Sequence, residues 1–275
     1  MLLVLFAALL HATWNALVKS SSDKFLTAIV LCLAAGLIAL PTLWFLPPPA
    51  LACWPYLAAS TVVHVVYFML VASGYRNADM SFIYPLMRGS APLVTALLAV
   101  ALLGETLGVG GWMGVSLLCA GVIALALDGR RAFGVSRRTW WIGIGNAVII
   151  VLYTLIDGAG VRAAGNAFSY AMWLFALIAL PMLAIGCVLR GRAMIALPPA
   201  AWGRGFVAGL CGVATYGIAL WAMTQAPIAL VAALRETAVL FGTAIAAVML
   251  HEKFGGMRWV AAGLMVAGAV ALKLP

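Results

Sequence analysis

Tyr84–Leu127 reads YPLMRGSAPLVTALLAVALLGETLGVGGWMGVSLLCAGVIALAL, and Val231–Leu274 reads VAALRETAVLFGTAIAAVMLHEKFGGMRWVAAGLMVAGAVALKL. The two stretches overlay without a gap at a constant offset of 147 positions. Arg88 falls on Arg235, Glu105 on Glu252, Gly108 on Gly255, Trp112 on Trp259 and Gly121 on Gly268, and about a third of the overlaid positions are identical. Matches of Leu, Ala and Val arise by composition in such a chain, whereas Arg, Glu and Trp are rare here. Two similar halves in a membrane chain form the sequence pattern of a carrier whose site lies at the repeat interface.

Composition places the chain in the bilayer. Of 275 residues, 66% are hydrophobic and 8% charged, against about a quarter charged in soluble domains. A net charge of +9 does not point to nucleic acid, because the basic residues lie in short loops between apolar runs, the pattern that orients membrane proteins. The five cysteines are scattered, with no CxxC or Cys/His cluster, so neither a disulfide nor a metal site is expected. No cofactor motif is present either: GxxxxGK[ST], GxSxG and HExxH are all absent.

Ten spans are expected, at about 2–18, 25–46, 56–75, 80–103, 108–127, 140–160, 167–189, 205–224, 227–250 and 257–274. Met1–Val18 lacks a basic start and carries His11, Trp14 and Asn15, so it reads as the first span rather than a signal peptide. Backbone groups must be satisfied within lipid, which makes the spans helices. The fold class is therefore all-α integral membrane. A first five-helix repeat covers 1–127, a basic connecting loop 128–139 and a second five-helix repeat 140–275. Five is odd, so the repeats are inverted with respect to each other. Lys and Arg concentrate in loops 1–2, 3–4, 5–6, 7–8 and 9–10, about twelve against about two; the positive-inside rule then puts both termini outside.

An Arg deep in a span is the costliest residue type in such a chain, about 2.5–3.5 kcal/mol on insertion scales. Arg88 and Arg235 each lie about eight residues into a span, roughly 12 Å deep at 1.5 Å per residue. One reading makes them an anion-recognising pair, since guanidinium grips carboxylate or phosphate bidentately. The other neutralises each with a buried carboxylate, for which Asp157 and Glu236 are available, or lets it snorkel to one surface. Polar neighbours share faces with these groups: His11 with Asn15 beside Trp14, His64 with Tyr67, and Tyr84 with Arg88, Pro85 loosening the helix between. Asn146, Tyr153 and Asp157 form a stripe, and Tyr216 and Thr237 add hydroxyls. Together they predict a polar pocket for a small amphoteric solute, with Trp14, Asn15, His64, Tyr84, Tyr153, Tyr216 and both arginines touching substrate. Asp157, Glu236 and His11 are candidates for coupling or ion pairing. Glu105 and Glu252 are expected to have a structural role, accepting hydrogen bonds from the free amides at the next helix start. Gly110 and Gly114 form GxxxG, which packs helices within a monomer or between protomers; the expected state is a monomer or weak homodimer in the lipid bilayer.

Leu103-Gly104-Glu105-Thr106-Leu107 with Trp112 and Gly121, and Leu250-His251-Glu252-Lys253-Phe254 with Trp259 and Gly268, resemble the signature of EamA-type transporters of the drug/metabolite transporter superfamily. His11-Ala12-Thr13-Trp14-Asn15 and Tyr84-Pro85-Leu86 with Arg88-Gly89 resemble one branch of it. The resemblance implies two five-helix repeats, a central cavity built from spans 1, 3, 4, 6, 8 and 9, a bacterial inner-membrane location and both termini in the cytoplasm, opposite to the charge count. Similar members export amino acids, nucleobase-like metabolites or toxic cations; related ones carry nucleotide sugars or triose phosphates. The expected function is a secondary transporter, an exporter of a small amino-acid-like or carboxylate-bearing metabolite. Alternatives are an exporter of quaternary or lipophilic cations, a membrane lipid carrier or enzyme acting on a phosphorylated lipid, and a non-transporting receptor or scaffold.

Overall fold

The computed structural model describes the backbone of all residues except 79, 90, 134–135, 195, 251–255 and 275, and the side chains at the described positions except 81, 129–133, 192–193 and 247–250. Glu252 therefore lies outside the described residues. The elements are helices: α1 (Leu2–Ser20), α2 (Lys24–Thr42), α3 (Trp54–Asn77), α4 (Met80–Arg88), α5 (Ala91–Leu103), α6 (Val109–Phe133), α7 (Arg137–Ala163), α8 (Ala167–Arg190), α9 (Pro199–Gln225), α10 (Ile228–Arg235), α11 (Ala238–Leu250) and α12 (Gly256–Ala271). Among the described residues nine segments are long and apolar enough to cross a bilayer, with α12 as a shorter apolar helix. Large apolar side chains such as Trp44, Val109 and Val188 face outward, as a lipid-embedded surface requires.

Helix starts follow local chemistry. Asp23 caps α2 through the Leu26 amide at 3.0 Å. Ser136 caps α7 through Thr139, and Asn166 caps α8 through Phe168 and Ser169. Each side-chain oxygen satisfies amides that have no carbonyl one turn back.

The two halves are arranged about a two-fold relation. By chain order α1–α6 correspond to α7–α12. α1 packs on α9 as α7 packs on α3, and α5 on α10 as α11 on α4, while α2 meets its own counterpart α8 and α6 meets α12. These self-paired helices run antiparallel: Gly36 lies against Ala179 and Gly186 against Ile29, Gly114 against Gly268 and Gly121 against Ala261. Equivalent helices pointing in opposite directions make the halves inverted. The glycines allow the approach, since a Cβ on Gly114 would stand 2.9 Å from the Gly268 carbonyl oxygen and one on Gly121 would stand 2.8 Å from that of Ala261. The GxxxG face is thus used inside the monomer, between α6 and α12, and supplies no argument for a dimer.

The fourth and ninth spans depart from the expected continuous helices. Each is two helices joined at a break directly after its arginine, α4 to α5 beyond Arg88 and α10 to α11 beyond Arg235. The helix continues through Pro85 and ends at Arg88. Pro92, which has no amide to donate, sits in the first turn of α5, where none is needed. In the second break Val239 bonds Glu236 and Leu240 bonds Thr237 through three-residue steps, a tightened turn rather than an α-helical one.

Candidate functional site

Two buried charge clusters lie in the interior, the first at the breaks and the second around α7. In the first, Arg88 gives Nε to Glu236 Oε2 at 2.9 Å and Nη2 to Oε1 at 2.7 Å, a bidentate fork across the two halves. Its Nη1 reaches His11 Nε2 at 3.0 Å. A neutral imidazole has one N–H, and Arg and Trp only donate, so His11 accepts from Arg88 at Nε2 and the 3.3 Å approach of Trp14 Nε1 to Nδ1 is packing rather than a second bond. Arg88, Glu236 and His11 are all buried. Arg88 ends α4, where the helix dipole favours a cation, and Glu236 precedes α11, where it favours an anion.

The second cluster surrounds Asp157, which is fully buried on α7. Tyr170 donates its hydroxyl to Oδ1 at 2.7 Å, and Tyr216 donates its own to Oδ2. His64 Nδ1 stands 3.9 Å from Oδ2 and is held by Ser60. Among the described residues no Lys or Arg forms an ion pair with Asp157. Arg235 lies nearby with its guanidinium 5.3 Å from the centre of the Tyr216 ring. It is 5% exposed, and among the described residues it has no hydrogen-bond or ion-pair partner.

Between these clusters lies a small cavity faced by His11, Trp14, His64, Tyr153, Thr215, Tyr216 and Arg235, with Tyr67, Phe68, Phe175 and Leu31 completing the wall. The rings pack edge to face, His64 on Tyr216 at 5.3 Å and Tyr67 on Tyr153 at 5.3 Å, the arrangement their quadrupoles favour. The space is about 30 Å³, enough for one or two waters and smaller than any amino acid, so a solute needs the helices to part. Wider spaces of about 210 and 300 Å³ lie at the two ends of the α1–α9 seam, one near Ser21 and Arg204, the other near Met1 and Gln225. Between them Thr215 closes the seam through its hydroxyl on the Ala7 carbonyl.

The expected site residues divide. Trp14, His64, Tyr153, Tyr216 and Arg235 face the cavity, as does His11. Three residues expected at the substrate do not. Arg88 has its guanidinium committed to Glu236 and His11. Asn15 is turned to the Tyr75 hydroxyl at 2.6 Å and the His11 carbonyl. Tyr84 stacks on His11, its buried hydroxyl without a hydrogen-bond partner among the described residues. Asn146 is likewise buried, and among the described residues neither of its side-chain polar atoms has a hydrogen-bond partner. Spans 1, 3, 6, 8 and 9 line the cavity, spans 2 and 7 add Leu31 and Phe175, and span 4 reaches only the smaller space beside Arg88.

Glu105 makes the type of bond expected of it, but to a different helix. Gly104, at φ +67°, turns the chain so that Glu105 accepts from the amides of Ile228 at 2.8 Å and Ala229 at 3.3 Å. It therefore caps α10 of the second half rather than α6. Arg162, not singled out in the sequence, completes this junction: Nη2 bonds Glu105 at 2.7 Å and the Ala226 carbonyl at 3.2 Å, and Nε bonds the Met223 carbonyl at 3.0 Å. Lys19 does the same for α3, bonding the Tyr75 and Ala78 carbonyls. Tyr170 was also missed, because a single aromatic in an apolar run looks like core, whereas Tyr67, read as sharing a face with His64, lines the cavity.

An all-helical membrane bundle with inverted halves, and with helix breaks bearing buried charge at matched positions, is the architecture of a secondary carrier. The chain matches the model of the EamA-like transporter family over residues 1–127 and 139–274. It belongs to that family, and so is a multi-pass integral membrane transporter of the drug/metabolite transporter superfamily. A relative from Sinorhizobium sp. named as an uncharacterized transporter in the cobO 3' region is 28% identical over 102 residues, covering 37% of this chain and 72% of that one. A solved structure described only as a protein crystal structure superposes with a TM-score of 0.75 at 19% identity, covering 99% of this chain and 96% of the other; that likeness concerns the fold alone.

Proposed function

We propose that the chain carries a small zwitterionic, amino-acid-like solute by alternating access in a bacterial inner membrane, with the solute carboxylate on Arg235 and its ammonium group toward Asp157. The observation that carries this reading is the unpartnered guanidinium of Arg235 facing the cavity. Leaving a buried Arg unpaired costs a few kcal/mol, and a carboxylate arriving there would recover charge-assisted hydrogen bonds. Arg88 does not share that task, because Glu236 already fills its fork. Asp157 does not itself line the cavity but lies behind Tyr216 and His64, and among the described residues its hydrogen-bond donors are the neutral hydroxyls of Tyr170 and Tyr216, which an ammonium group reaching it would complement. The aromatic walls suit the intervening carbon and the cation alike. The wider spaces at both ends of the α1–α9 seam support entry from either side, with the Arg88–Glu236 pair at the breaks moving as the halves rock.

The test is a thermal-shift panel on purified protein with standard amino acids, carboxylates lacking an amine, phosphate esters and quaternary amines. A bound ligand stabilises the folded state by mass action. Stabilisation by amino acids above the other classes is expected, and counterflow in right-side-out and everted vesicles then reads whether transport runs outward. Stabilisation by quaternary amines alone would replace this reading with cation export through the aromatic cage and Asp157.

A further inference from the structure

We infer that the closed cavity is a halide site: one chloride-sized anion sits against Arg235, Trp14 and His11 between transport cycles, and an arriving solute carboxylate displaces it. The anion site goes beyond the zwitterion reading above; only the displacement rests on that reading.

Three N–H groups on the cavity wall carry the argument. The first is the guanidinium of Arg235, which is buried and among the described residues has no hydrogen-bond or ion-pair partner. The second is the Nε1–H of Trp14. An indole only donates, and the atom 3.3 Å from it is His11 Nδ1. The third is that Nδ1 itself. Because Nε2 of His11 accepts from Arg88, the single proton of the neutral ring is on Nδ1. Two donors thus stand side by side on one turn of α1, and among the described residues neither has an acceptor. Arg235 joins them from the end of α10, so both halves build the site.

An anion is the ligand these groups share, because it accepts from all of them and supplies the counter-charge that a buried guanidinium requires. The two buried carboxylates do not serve. Glu236 has both oxygens on Arg88, and Asp157 lies behind Tyr216 and His64 with its oxygens on Tyr170 and Tyr216. Size narrows the class. About 30 Å³ holds one or two waters, which is room for a monatomic ion and too little for a phosphate ester or an amino acid. The remaining wall is largely aromatic and apolar, so little water competes for the ion and each hydrogen bond is stronger than in bulk. Exchanging a halide for a carboxylate keeps Arg235 neutralised in the closed and in the loaded carrier alike.

The experiment is thermal unfolding of the purified protein at constant ionic strength, with sodium gluconate replaced stepwise by sodium chloride, bromide or sulfate. Saturable stabilisation by chloride and bromide, and none by sulfate, is the expected result. Arg235→Met should match the parent in gluconate and gain nothing from chloride. Trp14→Phe should bind chloride at least about tenfold more weakly, having lost one hydrogen bond to a charged group. Equal stability in chloride and gluconate, an equal shift with sulfate, or a chloride shift that survives in Arg235→Met overturns the site. If neither variant folds, anomalous diffraction from parent crystals grown in bromide decides: a peak among Arg235, Trp14 and His11 supports the site, and none there refutes it. For the displacement, chloride at roughly ten times its own Kd should raise the apparent Kd of a mixture of the twenty standard L-amino acids about tenfold, and an unchanged value overturns that step. Absence of any thermal shift with the mixture refutes the zwitterion reading instead, and the halide titration still decides the anion site.

Discussion

Arg88 and Arg235 occupy matched places in the repeat, each the last residue of a short helix before a break, yet one is locked and the other open. The difference lies at the next position. The residue after Arg235 is Glu236, and its equivalent after Arg88 is Gly89. The second half supplies one carboxylate and it goes to the arginine of the first half, because adjacent residues on a helix diverge by about 100° while Arg88 approaches from the facing break. A symmetric scaffold thus produces an asymmetric site: an ion pair that joins the halves, and a guanidinium left over to face the cavity. Matched sequence positions in an inverted repeat share a location and need not share a role.

Removing one member of each arrangement separates these roles. Arg88→Met strands Glu236 in the bilayer interior, and should destabilise the protein by about 3–5 kcal/mol. Adding Glu236→Leu should return most of that loss, as measured by thermal unfolding in detergent. If the single variant is as stable as the parent, the pair does not join the halves.

Arg235→Met should do the reverse. Stability should hold or rise, since an unpaired charge is removed, while amino-acid binding should weaken by about 1.5–3 kcal/mol, the value of hydrogen bonds to a charged group. Calorimetric titration with the same amino-acid mixture measures it, and unchanged affinity would move the carboxylate elsewhere.

At the α10 end, Glu105→Ala removes a helix cap and the partner of Arg162, and should cost about 1–2 kcal/mol. Faster amide exchange at Ile228 and Ala229, with Ala91 and Pro92's neighbours unaffected, would localise the effect to the second half.

The smallest effect concerns Asp23, outside the spans, where burial pushes the carboxyl pKa up but the Leu26 amide bond and Arg190 outweigh it and hold the value below the ordinary carboxylate range. Its folded pKa is depressed, so its contribution is present above the usual carboxylate value and fades as pH falls through the lowered one. Asp23→Ala should therefore lose at most about 1 kcal/mol of cap stability at neutral pH, and nothing at a pH where both states are protonated.

Part of this was legible in the residues. The apolar runs gave the helices, because lipid offers backbone groups no other partner, and the 147-position overlay picked out both arginines. The breaks themselves were not legible: Pro85, the expected weak point, stays helical, and the chain parts at the residues after the arginines. Glu105 was legible as a cap but not as a cap for α10, since nothing local says that the end of α5 meets the start of α10. Arg162 looked like an ordinary loop cation until its carboxylate partner on the α5–α6 connection and its carbonyl partners at the end of α9 came together.

What the sequence by itself determined is the solvent, the number of spans and the presence of two costly arginines at equivalent depth, all consequences of composition and periodicity along one chain. Only the tertiary structure decided which carboxylate meets which arginine, because that choice is made across a distance of 148 residues by the angle at which two broken helices face each other.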